Sequence, residues 1–483
     1  MPRFSVVVTT CDRPTLLPAA VQAVLEIEFD DFELIVSDNF SKVPASEILA
    51  GVDDKRLRII RTDRRLPVSD HWEFAFQYVR GEFVMYIGDD NALHPDILAF
   101  ADRAIREHGL EVVSWRVGTY FHPDWNITYG PLPNRGNVVG IDAGTTDRLY
   151  VAREDEVLRQ YCRSLRLSGC FPCMVNFVFP KARADAVRAK TGRFFWAPNP
   201  DIAATYFVLG TIDPGRYGFF DGFGAIGGRS VDSNLATLLS RGKKSRRAYE
   251  YIEDFGDQDC LPHHPIKFIC TSNTLAATVS QGCALMPERF GRYELDPKTL
   301  ALRTVDDMYV DRIVPWIDDP RFVDDVEEYF RSLPADVACE VIAYRDQCLA
   351  KRREAEAKGD PEPRFVRNSD DAGSLRELWG RASRDALALE WQLFRETGRN
   401  PLGLHWLAGG TTYVDMRLYE GRSIADAARN FSRILNRFDT RGETFLNYYR
   451  GIGMIADELT ASSAARQRQA PRLMPEFPVV AAE

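Results

Sequence analysis

The chain has 483 residues, the length of two or three ordinary domains, and its 45% hydrophobic and 27% charged residues are typical of a globular protein. Its formal charge of −9 argues against a broad nucleic-acid-binding surface, which would need a basic face. No apolar run approaches the roughly 18 residues of a membrane span, and the N-terminus lacks the pattern of a signal peptide. We therefore expect a cytoplasmic protein, and leave open an association with the inner face of the membrane.

The nine cysteines are odd in number and scattered along the chain, which favours reduced thiols over a disulfide framework. Cys170 and Cys173, with Cys162 upstream, have a spacing that zinc sites use. A structural zinc site needs four ligands, and no second Cys or His pair stands at a matching distance. We interpret these residues as free thiols.

The first 115 residues alternate between strand and helix patterns. Strands are predicted at residues 4–9, 32–36, 57–60, 83–87 and 111–115. Helices are predicted between them, at residues 14–25, 69–79 and 95–107. Repeated strand–helix–strand units predict a mostly parallel sheet with helices on both faces.

The pattern becomes irregular from residue 117 to about residue 144, where we expect an insertion or an acceptor-facing loop. Further on, a strand at 174–179 and helices at 151–162, 182–189 and 201–209 are predicted, followed by a glycine-rich and aromatic loop at 217–229. After about residue 305 the predicted elements are helices, at 322–331, 336–355, 374–397 and 423–438. We expect a catalytic domain over 1–240, a connecting segment packed on it over 241–305, and an α-helical accessory domain over 306–483.

Acidic side chains follow three of the predicted strands. Asp12 comes after the first strand, Asp38 after the second, and Asp89 and Asp90 after the fourth. Because the carboxyl ends of parallel strands meet at one edge of a sheet, we expect these acids to face one crevice. Adjacent carboxylates there could hold a divalent cation, and the cation a diphosphate. The alternative is a solvated turn that merely ends a strand.

In order and spacing, these segments resemble the family 2 glycosyltransferases, which bind nucleotide sugars on the GT-A fold. The matching segments are residues 5–14, 33–39, 72–84 and 88–95. The resemblance covers roughly residues 3–115 well and 116–240 loosely, and it does not reach the C-terminal third. It implies an α/β, GT-A (Rossmann-like), mostly parallel sheet with helices on both faces, followed by a mainly α-helical C-terminal region.

The resemblance also implies the residues that contact the nucleotide. Asp38 is similar to the acid that hydrogen-bonds the base, and Asp89 to the acid that contacts the ribose. The candidate nucleotide-binding residues are Thr9, Thr10, Asp12, Arg13, Asp38, Arg65 and Asp89.

For the cofactor, the resemblance implies a divalent metal, Mn²⁺ or Mg²⁺. Asp90 is similar to the metal ligand of the Asp-X-Asp motif, although Gly88 stands where the first acid of that motif usually stands. His264, in a His-His pair between two prolines, is a further candidate metal ligand, and a polar turn is its alternative interpretation.

An inverting transfer needs a base, because the acceptor hydroxyl must lose its proton as it attacks the anomeric carbon. Asp201 is our candidate, since its placement is similar to that of the family's catalytic Asp. Its alternative role is the N-cap of the helix that follows Pro200. Residues 222–227 fit the Gly-x-Gly-x-x-Gly string of dinucleotide folds, but no convincing helix follows, so we interpret them as a substrate loop in which Arg229 could contact diphosphate.

The sequence thus predicts an inverting, metal-dependent glycosyltransferase that moves a sugar from a nucleotide diphosphate sugar, UDP-linked, to a hydroxyl of a surface glycan, lipid or protein. The expected partners are that donor and a glycan, lipid-linked or protein acceptor, without nucleic acid; self-association through the helical C-terminal region is left open. One alternative is a non-catalytic glycan-binding or scaffold protein on the same fold. The other is a sugar-phosphate nucleotidyltransferase, against which the glycine-free loop after the first strand argues.

Overall fold

A computed structural model describes most of the chain. The described residues are 1–126, 135–142, 144–165, 170–196, 198–231, 271–293, 295–310, 320–358, 405–408, 411–438 and 444–459. The predicted helix at 374–397 and the candidate ligand His264 lie outside them. No helix within these ranges is both long enough and apolar enough to cross a membrane.

The strands alternate with helices as far as residue 229 and recur near the C-terminus. They are β1 Phe4–Thr10, β2 Phe32–Asp38, β3 Leu57–Arg61, β4 Phe83–Gly88, β5 Ala92–Leu93, β6 Val112–Phe121, β7 Val138–Asp142, β8 Leu149–Ala152, β9 Phe177–Pro180, β10 Tyr217–Arg229, β11 His405–Ala408, β12 Thr411–Asp415 and β13 Ile455–Glu458.

The α-helices connect these strands and dominate residues 271–357. They are α1 Leu17–Leu25, α2 Ala45–Ile48, α3 Val68–Phe76, α4 Ile97–His108, α5 Glu154–Ser164, α6 Lys181–Thr191, α7 Pro200–Leu209, α8 Thr271–Leu285, α9 Pro287–Phe290, α10 Pro297–Val305, α11 Pro320–Ser332, α12 Ala335–Ala357, α13 Ile424–Phe438 and α14 Thr444–Gly451. Short 3₁₀ turns occur at Met174–Asn176 and Met416–Tyr419, and a π-helical turn at Asp306–Val310.

The centre of the sheet is the parallel set β3-β2-β1-β4, as the sequence predicts. Its register places Thr10 beside Asp38, Asp38 beside Arg61, and Thr9 beside Gly88. The carboxyl ends of these strands therefore form one edge, which we call the site edge.

Helices cover both faces of this parallel set. Val6 and Val8 of β1 lie in the core cluster that includes residues of α1 and α4. Val7, which points to the opposite face, lies in the cluster with Trp72 of α3 and residues of α6 and α7. Burial on both faces explains why these strands read as nearly continuous apolar runs in the sequence.

Two segments predicted as loops are strands instead. β6 continues to Phe121 and pairs with β7, which lies within the stretch predicted to be irregular. Residues 217–229 form β10, which lies parallel to β6. The glycines of β10 mark close contacts rather than a loop: a Cβ on Gly228 would lie 1.7 Å from the carbonyl oxygen of Asp90, so only glycine lets the two backbones approach.

The C-terminal part is helical over residues 271–357 and 424–451, within the described ranges, but it also adds strands to the sheet. β12 pairs with β7 and β11 with β12, while β13 pairs with β8. α13 packs against α1, β5 and β10, with Phe431 buried among them. The described C-terminal part is therefore mainly helical, as predicted, with short strands at His405–Ala408, Thr411–Asp415 and Ile455–Glu458. The domain boundaries at 240 and 305 stay a prediction.

Candidate active site

The adjacent acids Asp89 and Asp90 follow β4 at the site edge, and both are buried. Nη1 of Arg13 donates to Oδ1 of Asp89 at 2.9 Å and to Oδ2 of Asp90 at 3.3 Å. The hydroxyl of Thr10 donates to Oδ2 of Asp89 at 2.6 Å. The loop after β1 and the acids after β4 therefore form one hydrogen-bonded group, and of the predicted residues it unites Thr10, Arg13, Asp89 and Asp90.

Burial raises the pKa of Asp89 to about 6, while Arg13 opposes this rise and the neighbouring Asp90 adds to it. Gly88 has a structural role in this arrangement. A Cβ on Gly88 would lie 2.8 Å from Oδ1 of Asp90, so a larger residue there would require the Asp90 side chain to move. The glycine that replaces the usual acid thus leaves room for Asp90.

Asp12 joins the loop after β1 to the loop after β2. It has a left-handed backbone, with φ of 54°. Its backbone N–H donates to Oγ of Ser41 at 2.9 Å, and its Oδ1 accepts from the backbone N–H of Lys42 at 2.7 Å. Both contacts are within the protein, so they fix the rim of the crevice. A contact between Asp12 and a nucleotide stays a prediction.

Asp38 is fully buried at the end of β2, and its carboxylate accepts from several groups of the protein. The backbone N–H groups of Ser41 and Ala45 donate at 2.8 and 3.0 Å, and Arg61 donates through Nη1. Burial opposes ionisation of Asp38, but these hydrogen bonds outweigh it and hold its pKa below the ordinary value. Asp38 therefore organises the loop after β2, and its predicted contact with a base stays a prediction.

Two other predicted nucleotide contacts lie at the same edge. Thr9 is half-buried beside Gly88, and Arg65 is exposed in the loop between β3 and α3. That loop is fastened to β2 by Asn39, whose side chain exchanges two hydrogen bonds with the backbone of Leu66 at 2.8 and 2.9 Å.

The strand β10 packs against the turn that carries Asp90. The backbone N–H of Gly228 donates to Oδ1 of Asn91 at 2.9 Å, and Nε2 of His122 donates to the carbonyl oxygen of Asp90 at 3.0 Å. These contacts fix the turn that carries the two acids. No local pattern indicated His122, since it lies in the stretch that was predicted to be irregular.

Arg229 ends β10 close to Asp90. Burial lowers the pKa of its guanidinium, and the charge of Asp90 is among the groups that oppose this. Among the residues that the structure describes, this guanidinium makes no hydrogen bond or ion pair. A partly buried guanidinium whose N–H groups make no hydrogen bond within the described residues is suited to binding an anionic ligand.

Asp201 lies in the first turn of α7, which begins at Pro200, and Asn199 occupies the N-cap position. The alternative interpretation of Asp201 as the N-cap is therefore wrong. The thiol of Cys173 donates to Oδ2 of Asp201 at 2.9 Å. Burial raises the pKa of Asp201, and the Cys173 thiol and the backbone N–H of Ile202 oppose the rise.

The sheet topology carries Cys173, and with it Asp201, toward the site edge. β9 lies antiparallel to β4, with Phe179 beside Val84, so the residues that precede β9 run toward the carboxyl end of β4. The turn Met174–Asn176 packs against β4, β6 and β10. No hydrogen bond joins Asp201 to Asp89 or Asp90 in the described part of the chain.

The carboxylates of Asp89 and Asp90 fit a divalent cation that takes its remaining ligands from phosphate and water. Within the described ranges, no group of three or more His, Cys, Asp and Glu side chains lies together as a metal site. Two adjacent carboxylates are nevertheless a common protein contribution to a Mg²⁺ site completed by phosphate and water. Asp89 and Asp90 would hold such a cation, and Arg13 now occupies the space between their oxygens.

The described geometry defines an α/β protein whose parallel strands end at one edge in acidic and arginine side chains. Comparisons with known proteins agree with this class: residues 5–162 match the family model described as glycosyl transferase family 2. The match covers the part of the chain in which the motifs that resemble this family lie.

Two curated relatives are similar over short regions. A protein of Campylobacter jejuni, named GalNAc(5)-diNAcBac-PP-undecaprenol beta-1,3-glucosyltransferase, is 29% identical over 96 residues, which is 19% of this chain and 31% of that protein. An uncharacterised protein of Sinorhizobium fredii, y4gI, is 27% identical over 167 residues, which is 34% of this chain and 17% of that protein. This chain thus spans less than a third of the length of either relative.

Among solved structures, S. aureus TarS in complex with UDP-GlcNAc is 13% identical, with a TM-score of 0.42 over 74% of this chain and 92% of that chain. This likeness is remote and identifies neither a donor nor an acceptor for this chain.

Proposed function

We propose that the protein is an inverting glycosyltransferase that moves a sugar from a UDP-linked donor to a hydroxyl acceptor with the help of a divalent cation. The observation that carries the proposal is the pair Asp89 and Asp90, buried at the carboxyl edge of the parallel strands within a family 2 domain.

The donor side of the crevice would bind the diphosphate. Asp89 and Asp90 would hold the cation, which supplies positive charge to the departing diphosphate. Arg229, a partly buried cation beside Asp90, would contact the same phosphates. Arg13 would exchange its contacts with the two carboxylates for contacts with the donor.

The acceptor side would supply the base. Asp201 would take the proton of the acceptor hydroxyl while the hydroxyl oxygen forms a bond to the anomeric carbon. The bond between that carbon and the diphosphate oxygen breaks in the same step, and its electron pair leaves with the nucleotide diphosphate. Attack from the face opposite the leaving group inverts the anomeric configuration.

A lipid-linked, surface-glycan or protein hydroxyl is the proposed acceptor class. The Campylobacter jejuni relative, whose name gives a lipid diphosphate, supports the lipid-linked member of this class. An enzyme acting on such an acceptor would work at the inner face of the membrane, which is where we propose that the protein acts. Self-association through the helical C-terminal region, which the sequence leaves open, stays a proposal.

A binding and turnover experiment tests the proposal. Nucleoside diphosphates and their sugars are screened by thermal shift with and without Mn²⁺, since a ligand that binds the folded state raises Tm. The hits are then assayed for cation-dependent release of the nucleotide diphosphate. We expect UDP and a UDP-sugar to raise Tm with Mn²⁺, and Asp90→Ala to lose both effects.

Asp185→Asn is the matched control, because Asp185 pairs with Lys181 at the opposite edge of the sheet. If the protein binds a UDP-sugar but releases no UDP from it, either to water or to a mixture of candidate acceptors, the non-catalytic scaffold alternative is favoured. Release of pyrophosphate from UTP and a sugar phosphate would favour the nucleotidyltransferase.

A further inference from the structure

The contact between Cys173 and Asp201 joins a thiol to the proposed base. Sγ of Cys173 lies 2.9 Å from Oδ2 of Asp201, and the thiol is the donor because the carboxylate can only accept. Cys173 is half-buried and belongs to no disulfide. None of the steps proposed above uses this thiol.

The thiol is held in place by its own neighbours. The backbone N–H of Cys173 donates to Oδ1 of Asn176, and Nδ2 of Asn176 donates to the carbonyl oxygen of Trp115 at 2.9 Å. Trp115 is a buried residue of β6, so the turn that carries Cys173 is anchored to the sheet. Asp201 is thus aligned by a group fixed to the scaffold rather than by a mobile surface residue.

We propose that Cys173 is a positioning residue for Asp201: its thiol orients the carboxylate and stabilises the ionised form that can accept a proton from the acceptor. This inference rests on the proposed function, because it gives Asp201 the role of base.

The electrostatics of the pair are consistent with this role. Burial raises the pKa of Asp201 and so disfavours its ionised form, and the thiol hydrogen bond opposes this. Burial and the charge of Asp201 together raise the pKa of Cys173 well above its ordinary value. The thiol therefore keeps its proton and stays a donor over the pH range in which Asp201 is ionised.

The first test measures the contact without any glycosyl transfer. Alkylation of Cys173 by iodoacetamide is followed against pH by peptide mass spectrometry, in the full-length protein and in Asp201→Asn. Loss of the carboxylate charge should raise the labelling rate at a fixed pH by about tenfold, the factor that corresponds to a fall of about one unit in the pKa of the thiol. The exposed Cys339 is the internal control and should be labelled identically in both proteins. An unchanged labelling profile at Cys173 would overturn the inference.

The second test measures the consequence for catalysis. The acid limb of the pH profile of kcat/KM should move up by about one unit in Cys173→Ala, because Asp201 loses a hydrogen bond that favours its ionised form. In Cys173→Ser, whose hydroxyl can donate in the same way, the acid limb should lie close to its wild-type position. A purely structural role for the thiol would lower the rate at all pH values and leave the limb in place, which would contradict a positioning role.

The two tests separate this inference from the proposed function. If Asp201→Asn turns over at the wild-type rate, Asp201 is not the base and the proposed mechanism fails, whereas the labelling result still reports whether the pair exists. If the labelling profile is unchanged while Asp201→Asn is inactive, the base assignment stands and the role of Cys173 is wrong.

Discussion

Nη1 of Arg13 lies 2.9 Å from Oδ1 of Asp89, and the same atom reaches Asp90 at 3.3 Å. One guanidinium thus contacts both acids and offsets part of their mutual repulsion at the end of β4. A divalent cation bound to these carboxylates would compete with Arg13 for the same oxygens. Asp89 and Asp90 are thus already held side by side, but Arg13 contacts an oxygen of each.

Replacing Arg13 should therefore make the acids more available to a cation. We expect Arg13→Met to bind Mn²⁺ several-fold more tightly than the wild type in the absence of nucleotide, because the competing positive charge is gone. The measurement is a Mn²⁺ titration followed by electron paramagnetic resonance or calorimetry. Arg103→Met, on the exposed side of α4, is the control and should leave Mn²⁺ binding unchanged. Weaker Mn²⁺ binding in Arg13→Met would show that the ion pair supports the cation site instead.

Arg229 leads to a prediction about the phosphates of the donor. Arg229→Leu should weaken the binding of UDP by about 1.5–3 kcal/mol, the range of a hydrogen bond to a charged group. The folded protein should lose little stability, because the guanidinium that is removed is desolvated and makes no hydrogen bond within the described residues. Calorimetric titrations with UDP and with uridine check this. Equal weakening for both ligands would show that Arg229 acts on the shape of the pocket and not on the diphosphate.

The part of the site that could be predicted from the sequence is the part built on β1, β2 and β4. These strands are buried on both faces, so their apolar runs are nearly continuous, and the acids that end them stand out. The register then determines that their ends meet, which is why the acids Asp12, Asp38, Asp89 and Asp90 were expected at one edge.

The rest of the site depends on long-range pairing that leaves weak local patterns. β10 pairs with β6 across about a hundred positions, as in the pair Tyr217 and Val112, and its glycines look like a loop until the partner strand is known. His122 and Arg229 lie on these two strands, so their proximity to Asp90 could not be predicted. The bond from Cys173 to Asp201 joins residues 28 positions apart and has no sequence signature.

The C-terminal part packs on the catalytic sheet through α13. Phe431 is fully buried, and its ring lies edge-on to that of Phe223 of β10 at 5.9 Å. Gly118 of β6 makes room for it, since a Cβ there would lie 2.7 Å from the ring. We expect Phe431→Ala to lower the free energy of unfolding by about 3–5 kcal/mol through the cavity that it leaves.

Chemical denaturation of the full-length protein checks that value. Arg433→Ala is the control on the same helix, because its exposed guanidinium lies over the Tyr419 ring and should contribute less than about 1 kcal/mol. A loss below about 1 kcal/mol for Phe431→Ala would mean that α13 is not stably packed on β10.

His71 gives the protein a pH-dependent stability that can be measured without a ligand. It is buried beneath the site edge, and its Nε2 lies 2.8 Å from Oγ of Ser37 in β2. Burial lowers its pKa from 6.5 to about 4. Because the folded-state pKa is the lower one, protonation favours the unfolded chain. The stability that depends on neutral His71 is therefore fully present above about pH 6.5 and is lost as the pH falls toward about 4.

The loss should amount to about 3 kcal/mol over that range, since one pKa unit corresponds to about 1.4 kcal/mol. His71→Asn should lower the stability at neutral pH but make it less dependent on pH between about 6.5 and 4. Denaturant titrations at half-unit pH steps measure both effects, with His108→Gln as the control at the end of α4. If His71→Asn loses stability with falling pH as steeply as the wild type does, His71 is not the group that titrates, and the acid sensitivity must come from other side chains.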